Sequence, residues 1–255
     1  MQTHARKTAW IIGASSGLGA ALAIRLANEG YQVGISARRE ERLNAIAAHQ
    51  SGVTPFPLDV GDHGAVQRCA ESILAEFGHI DLLVFCAVSG GSAKGMHESL
   101  AQGMFVGLLG ATAVMEPIAA NMKKRGSGQI ALIGSPVGFR ALPGARTYGT
   151  VKSALHYLAE AMKIELSGDG IAVQLILPGF VDTQLTQANT FQMPFLMTVD
   201  EATDRIWRGL CTPQRFKIAF PRRLIWLMRL FGALPDPVYF NAMKWLGRKI
   251  DKNSR

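Results

Sequence analysis

A tyrosine and a lysine four residues apart, Tyr148 and Lys152, follow Ser135 by thirteen residues. On a helix, side chains at i and i+4 project from nearly the same face. The spacing therefore predicts a phenol beside an ammonium. A free phenol titrates near ~10 and carries protons poorly at neutral pH. A fixed cation beside it favours the phenolate and lowers that value. Bringing it to neutrality takes roughly 4 kcal/mol, much for one ammonium and attainable when a bound cationic cofactor adds to it. A Tyr-x-x-x-Lys pair also arises by chance on ordinary helices, so the rest of the chain decides its meaning.

A second group of residues suits a phosphate. The run Gly13-Ala14-Ser15-Ser16-Gly17-Leu18-Gly19 follows an apolar, strand-like segment and precedes a helical pattern. Glycines there permit a tight turn and let the backbone approach a pyrophosphate at the helix N-terminus. Position after the first strand favours nucleotide binding over a merely structural turn. The second strand ends in Ala37, where an acidic residue would hold a ribose 2′-hydroxyl, followed by Arg38 and Arg39. Guanidinium groups suit a 2′-phosphate, so the charge pattern favours NADP(H) over NAD(H). The bland alternative, a solvated helix start, places cations against the helix dipole.

These residues need elements to position them. Apolar runs at Thr8–Gly13, Gln32–Ser36, Val53–Leu58, Leu82–Cys86, Gln129–Gly134, Ala172–Leu177 and Phe216–Phe220 read as strands. Helical patterns at Leu18–Asn28, Glu40–His49, Gly64–Phe77, Ser99–Lys124 and Thr147–Leu166 alternate with most of them. The alternation predicts an α/β fold, a Rossmann-type doubly wound parallel sheet of about seven strands with helices on both faces. Ligands then sit at the carboxyl ends of the strands. The chain divides into a domain over residues 1–220 and a basic helical extension over residues 221–255.

The 255 residues suffice for one full core. Three scattered cysteines, Cys69, Cys86 and Cys211, argue against a disulfide framework or a metal knuckle and fit free thiols in a reducing cytoplasm. Six histidines form no ligand pattern, so no metal is expected. No signal-peptide pattern opens the chain, and no apolar run reaches the ~20 residues of a membrane span. Residues 1–200 carry 15 basic and 15 acidic side chains; residues 201–255 carry 12 and 4. The whole excess of +8 therefore lies near the C-terminus, unlike the general coating of a nucleic-acid binder.

Taken together, these residues resemble the classical short-chain dehydrogenases/reductases over roughly residues 6–220. The resemblance rests on Gly13-x-x-x-Gly17-x-Gly19, Leu58-Asp59-Val60, Ser135, Tyr148-x-x-x-Lys152 and Pro178-Gly179-Phe180-Val181-Asp182-Thr183. It implies that Gly13, Ser15, Ser16, Gly17, Leu18 and Gly19 cradle the dinucleotide, with Asp59 and Val60 at the adenine. Ala87, Pro178, Gly179, Val181 and Thr183 would border the rest of the cofactor. Tyr148 would be the general acid in carbonyl reduction, and Lys152 would hold the nicotinamide ribose and depress the phenol's pKa. Ser135 would hydrogen-bond the substrate oxygen. Dimers or tetramers are usual in the family.

Two departures stand out. Where the family shows Asn-Asn-Ala-Gly, this chain has Phe85-Cys86-Ala87-Val88, with Ser89, Gly90 and Gly91 after it. Phe85 and Cys86 are expected in the core. Where the family carries a catalytic Asn, this chain has Gly107 in Gly107-Leu108-Leu109-Gly110. A water in the vacated space, another polar group, or slow proton exchange would follow. Gly103, Gly107 and Gly110 share one face, which suits close packing against a subunit partner.

The segment Gln184–Val199 contains Phe191-Gln192-Met193-Pro194-Phe195-Leu196-Met197, and by resemblance would be a lid over an apolar substrate. Ordinary surface packing is the alternative. The tail reads as two amphipathic helices, Arg222–Phe231 and Val238–Ile250, broken at Pro235-Asp236-Pro237. Its pattern fits packing on the domain, on a partner subunit, or on the inner face of a membrane. His156, one turn past Lys152, reads as a packed helix histidine. The combined expectation is an NADPH-dependent reductase of an apolar ketone or aldehyde. The alternatives are oxidation of a hydrophobic alcohol and a low-turnover dinucleotide sensor.

Overall fold

In the computed structural model, which describes residues 6–89, 95–187 and 192–253, the apolar runs become seven parallel strands. These are β1 (Thr8–Ile12), β2 (Gln32–Ser36), β3 (Val53–Pro55), β4 (Leu82–Phe85), β5 (Gly128–Ile133), β6 (Ile171–Pro178) and β7 (Lys217–Phe220). Their order in the sheet is β3-β2-β1-β4-β5-β6-β7. The order runs outward from β1 in one direction and from β4 in the other. A crevice therefore opens at the carboxyl ends of β1 and β4. β3 stops before the expected Leu58, because Pro55 and Pro57 have no N–H to donate. Extended pairing continues beyond it: Phe56 N–H donates to the Ile35 carbonyl at 2.8 Å and Leu58 N–H to Ala37 at 3.0 Å.

The helices are α1 (Gly17–Asn28), α2 (Glu40–His49), α3 (His63–Phe77), α4 (Met96–Met104), α5 (Gly110–Arg125), α6 (Arg146–Glu165), α7 (Gln184–Gln187), α8 (Val199–Leu210), α9 (Arg222–Gly232) and α10 (Asp236–Asn253). Alternate strand residues feed two cores. Trp10, Ile12, Leu83 and Phe85 pack with α3, α5 and α6 on one face. Ala9, Ile11, Leu82 and Val84 pack with α1, α2 and α8 on the other. Two buried polar groups in these layers are well partnered: the Trp10 indole donates to Ser36 Oγ at 2.8 Å. The Gln174 amide donates to the carbonyls of Gly209, Thr212 and Arg215 and accepts from Gln129.

The helix expected at Ser99–Lys124 is interrupted. Between α4 and α5 lies one wide π turn, Phe105–Leu109, centred on Gly107. The glycine face does not meet a partner subunit, as the spacing suggested. Added Cβ atoms would meet Thr147 and Val151 at Gly103, Val151 at Gly107 and Val60 at Gly110. All of these belong to the same chain. The run Met96–Arg125 is also long and apolar enough to cross a membrane by length and composition, contrary to the reading from single apolar runs. Ala111, Val114, Met115, Ile118 and Met122 are buried in the core, so this is a core helix.

The tail helices form close to their expected bounds. Pro237 falls in the first turn of α10, where a missing N–H costs nothing. Their inner side buries Leu224, Ile225 and Tyr239. Arg140 fastens them: it donates to the carbonyls of Gly232 and Leu234 at 2.7 Å each and pairs with Asp236. Its guanidinium also lies 3.8 Å from the Tyr239 ring centroid. The Tyr239 hydroxyl donates to the Ala141 carbonyl.

Candidate active site

Helix α6 is fixed to the end of β5 at three points. Lys152 Nζ donates to the Ile133 carbonyl at 2.6 Å. Ser153 Oγ donates to the Gly138 carbonyl at 3.0 Å. The His156 ring lies between Gly134 and Gly138, where added Cβ atoms would come within 2.9 and 2.6 Å of it. Ser135 stands between these glycines and opens the short 3₁₀ turn Pro136–Gly138. The same helix, one turn earlier, supplies Tyr148. The expected trio is thus gathered at the crevice side of the sheet.

The electrostatics differ from the expectation. Burial pushes the Tyr148 phenol above its ordinary value; a hydrogen bond from Ser135 pulls it down by less. The residue is 38% exposed, so the exposed part is ring surface at the mouth, while the hydroxyl end lies inside, within reach of Ser135. Lys152 does not lower the phenol here. Its Nζ is 5.6 Å from the ring centroid and is held by the Ile133 carbonyl. Burial in turn lowers Lys152 to about 8, opposed by Cys86. The ammonium therefore stays mostly charged at neutral pH.

Phe85 and Cys86 both reach the core, as expected, on opposite faces of the sheet: Phe85 lies in the first layer, and the half-buried Cys86 packs against the second. Burial raises the Cys86 thiol, while Lys152 and the Gly19 N–H pull it down. The thiol thereby links the glycine turn to the catalytic group. The alternation of strand side chains carries this signal: if Phe85 enters one core, its neighbour must face the other way.

The cofactor cradle fits a dinucleotide. Gly13, at φ +88°, is required because Ala87 N would lie 2.7 Å from a Cβ there. Gly19 passes against the Gly13 carbonyl, and Thr183 Cγ2 would be 3.3 Å from a Cβ on Gly17. The loop after β6 thus closes over the turn. Ser16 starts α1 without a side-chain cap, and the first turn has no acidic residue, so its N–H groups remain available to an anion. Arg39 donates to Ser15 Oγ at 2.7 Å and to Ser16 Oγ at 2.8 Å. Arg39, rather than the exposed Arg38, therefore stands at the phosphate turn. Leu18 packs toward the second core.

Other expected residues have local partners. Asp59 accepts from the Gly61 N–H at 3.0 Å, and Val60 is buried against Gly110. Val181 is buried and bridges Met197. Pro178 pairs with Phe220, and the space beside Gly179 is filled by Leu224 and Pro221. Val88 and Ser89 are half-buried after β4. Gly90, Gly91 and Phe191 lie outside the described residues.

Gly107 has a clear cause. A Cβ at this position would lie 2.5 Å from Val151 Cγ1, and Val151 is buried. A methyl group of Val151 takes the space that a Cβ at this position would need.

A family model described as short chain dehydrogenase matches residues 7–193. An uncharacterized oxidoreductase of Myxococcus xanthus is 34% identical over 247 residues, covering 94% of this chain and 97% of its own. A short-chain dehydrogenase from Sphingobium yanoikuyae, solved with NADPH, is 29% identical with a TM-score of 0.75, over 90% of this chain and 97% of its own. One from Streptomyces avermitilis superposes with a TM-score of 0.80 over 98% and 99% of the two chains at 24% identity, a likeness of fold.

Two outcomes follow from this geometry. Gly107→Asn should destabilise the protein by about 1–3 kcal/mol through overpacking, and Val151→Ala in the same chain should restore most of it. Urea unfolding midpoints check both. Burial first, then Lys152 and Lys217, hold His156 down to about 4 from 6.5, against weaker pulls from Glu160 and the Ser135 backbone. Below 6.5 the unfolded chain takes up a proton that the folded one refuses. Stability is therefore lost as pH falls through that window and is unaffected above it. Wild type should lose about 2 kcal/mol more than His156→Asn between about pH 7 and about pH 5, as read by urea unfolding.

Proposed function

Since the chain belongs to the short-chain dehydrogenases, and is an oxidoreductase of that family, we propose that it uses NADP(H) to reduce the carbonyl of an apolar ketone or aldehyde. The observation that carries this is the convergence of Ser135, Tyr148 and Lys152 at one mouth, on a helix held to the sheet beside the glycine turn. A nicotinamide dinucleotide supplies or accepts the hydride when bound. Tyr148 gives its proton to the carbonyl oxygen as charge develops there. Burial keeps the phenol protonated before the step. Ser135 donates to the same oxygen. Lys152, positively charged and fixed at Ile133, has donors left to hold the ribose hydroxyls.

Arg39, set on Ser15 and Ser16, supports the phosphate-bearing dinucleotide, and the NADPH complex of the Sphingobium relative agrees with it. Phe195 and Leu196, exposed in the segment between the β6 loop and α8, support an apolar substrate. The reverse oxidation of a hydrophobic alcohol uses the same groups. The methyl group in place of an Asn at Gly107 is the observation that favours the second reading, a slow, dinucleotide-sensing protein. Exposed Phe105 and Leu109 at the π turn, with Tyr157 and Ile164 on α6, support a homodimer or homotetramer. Residues 1–220 form the enzyme and residues 221–255 its tail, in a cytoplasmic setting at the inner face of a membrane.

Fluorescence titration should show NADPH binding more tightly than NADH. Arg39→Ala should weaken NADPH about ten- to a hundredfold and leave NADH nearly unchanged. Tyr148→Phe should bind NADPH normally and reduce apolar ketones about a hundredfold or more slowly. Equal binding of both nucleotides, indifferent to Arg39, would end the NADP(H) assignment. No binding of either would end the reductase reading.

A further inference from the structure

The outward side of α9 is apolar as well as basic. Trp226 is 70% exposed and Leu230 68%, with Leu227 and Phe231 beside them. At 100° per residue these four form one stripe, and Arg223 lies in its middle. The buried Ile225 takes the opposite side, toward the domain, and the buried Leu224 lies at the edge of the stripe beside Phe231. The stripe is therefore not left over from core packing; the core has its own side of the helix. On α10, Trp245 is 64% exposed, two turns from exposed Val238, with Lys249 Nζ 5.4 Å from its ring centroid. Across residues 221–255 there are 8 basic and 2 acidic side chains.

Charge selects the occupant. A symmetric contact with a second copy would press two such basic surfaces together. A nucleic acid would meet phosphate-spaced cations without large apolar groups between them. Aromatic and aliphatic side chains interleaved with Arg and Lys match the boundary of an anionic bilayer, where apolar groups enter below the headgroups and cations meet phosphate. We propose that the outer face of α9 and α10 docks on an anionic lipid surface. The tail borders the substrate mouth: Leu224 packs beside Gly179, and Arg140, from the segment between Ser135 and Tyr148, is bonded to both ends of the α9–α10 turn. Docking therefore sets the mouth beside the lipid, and that last step rests on the reading of an apolar substrate.

The test is cosedimentation of the full chain with vesicles of phosphatidylcholine alone, or with about a third phosphatidylglycerol. Binding to the anionic vesicles should be at least about tenfold stronger and should fall steeply with added salt. Trp226→Asp with Leu230→Asp should abolish binding, and Arg222→Glu with Arg223→Glu should remove the preference for anionic lipid. Neither pair touches the site, so NADPH affinity and the circular dichroism melt should not move; a shifted melt passes the question to the arginine pair. Binding to neither vesicle overturns the proposal. So does a dimer, seen by sedimentation velocity, that Trp226→Asp dissociates without any vesicle binding. Vesicle binding with no turnover of apolar ketones sinks the substrate reading and leaves the docking surface standing. Turnover without vesicle binding does the reverse.

Discussion

A buried ammonium anchored on a backbone carbonyl is the constraint on which the site depends. Lys152 sits in the interior with Nζ against the Ile133 carbonyl, at the last residue of β5. Removing such a charge from water is costly unless it is bonded, and an isolated one would neutralise. Here burial lowers Lys152 only to about 8, with Cys86 opposing, so it stays charged at neutral pH. The bond also sets the position of α6 against the sheet, and so the reach of Tyr148 toward Ser135. Chemistry and architecture share one hydrogen bond.

Close to that bond the protein is shaped by missing side chains. Gly134 and Gly138 leave a slot that the His156 ring fills, edge-on to Phe139 with centroids 5.7 Å apart. Gly103 and Gly107 let Thr147 and Val151 of α6 press into the helix opposite. Gly13 lets β4 run against the phosphate turn. Each glycine gives up helix or strand propensity for a contact that a Cβ would forbid. The result is a dry, close-packed surround for one lysine.

The strands, the parallel sheet, the glycine turn after β1 and the helix that carries Tyr148 and Lys152 could be read from the chain because they are written in local patterns. Apolar runs, glycine spacing and an i, i+4 pair need no tertiary knowledge. The misreadings are cases where a distant neighbour decides. Nothing near Gly107 in sequence says that Val151 fills its side-chain space, and the three-glycine face looks alike whether it meets α6 or a second subunit. Cys86 packs on the second core as its strand position suggests, and only the fold adds the influence of Lys152 on its thiol. Arg38 and Arg39 are indistinguishable by composition; only the path of the turn puts Arg39 on Ser15 and Ser16. Burial raises the Tyr148 phenol against the pull of Ser135 alone, and that balance depends on depth, which spacing does not encode.

The methyl group of Val151 at Gly107 has a consequence for timing. In the proposed reaction, a phenol that has spent its proton must recover one before the next cycle. With hydrocarbon on the Gly107 side and Lys152 committed to Ile133, the open approach to the Tyr148 hydroxyl is the mouth that the substrate itself uses. Refilling and unloading then share a door. On that proposal the site would be a single-entrance airlock: solvent would reach the acid once the product had left, and departure would set the clock of the cycle.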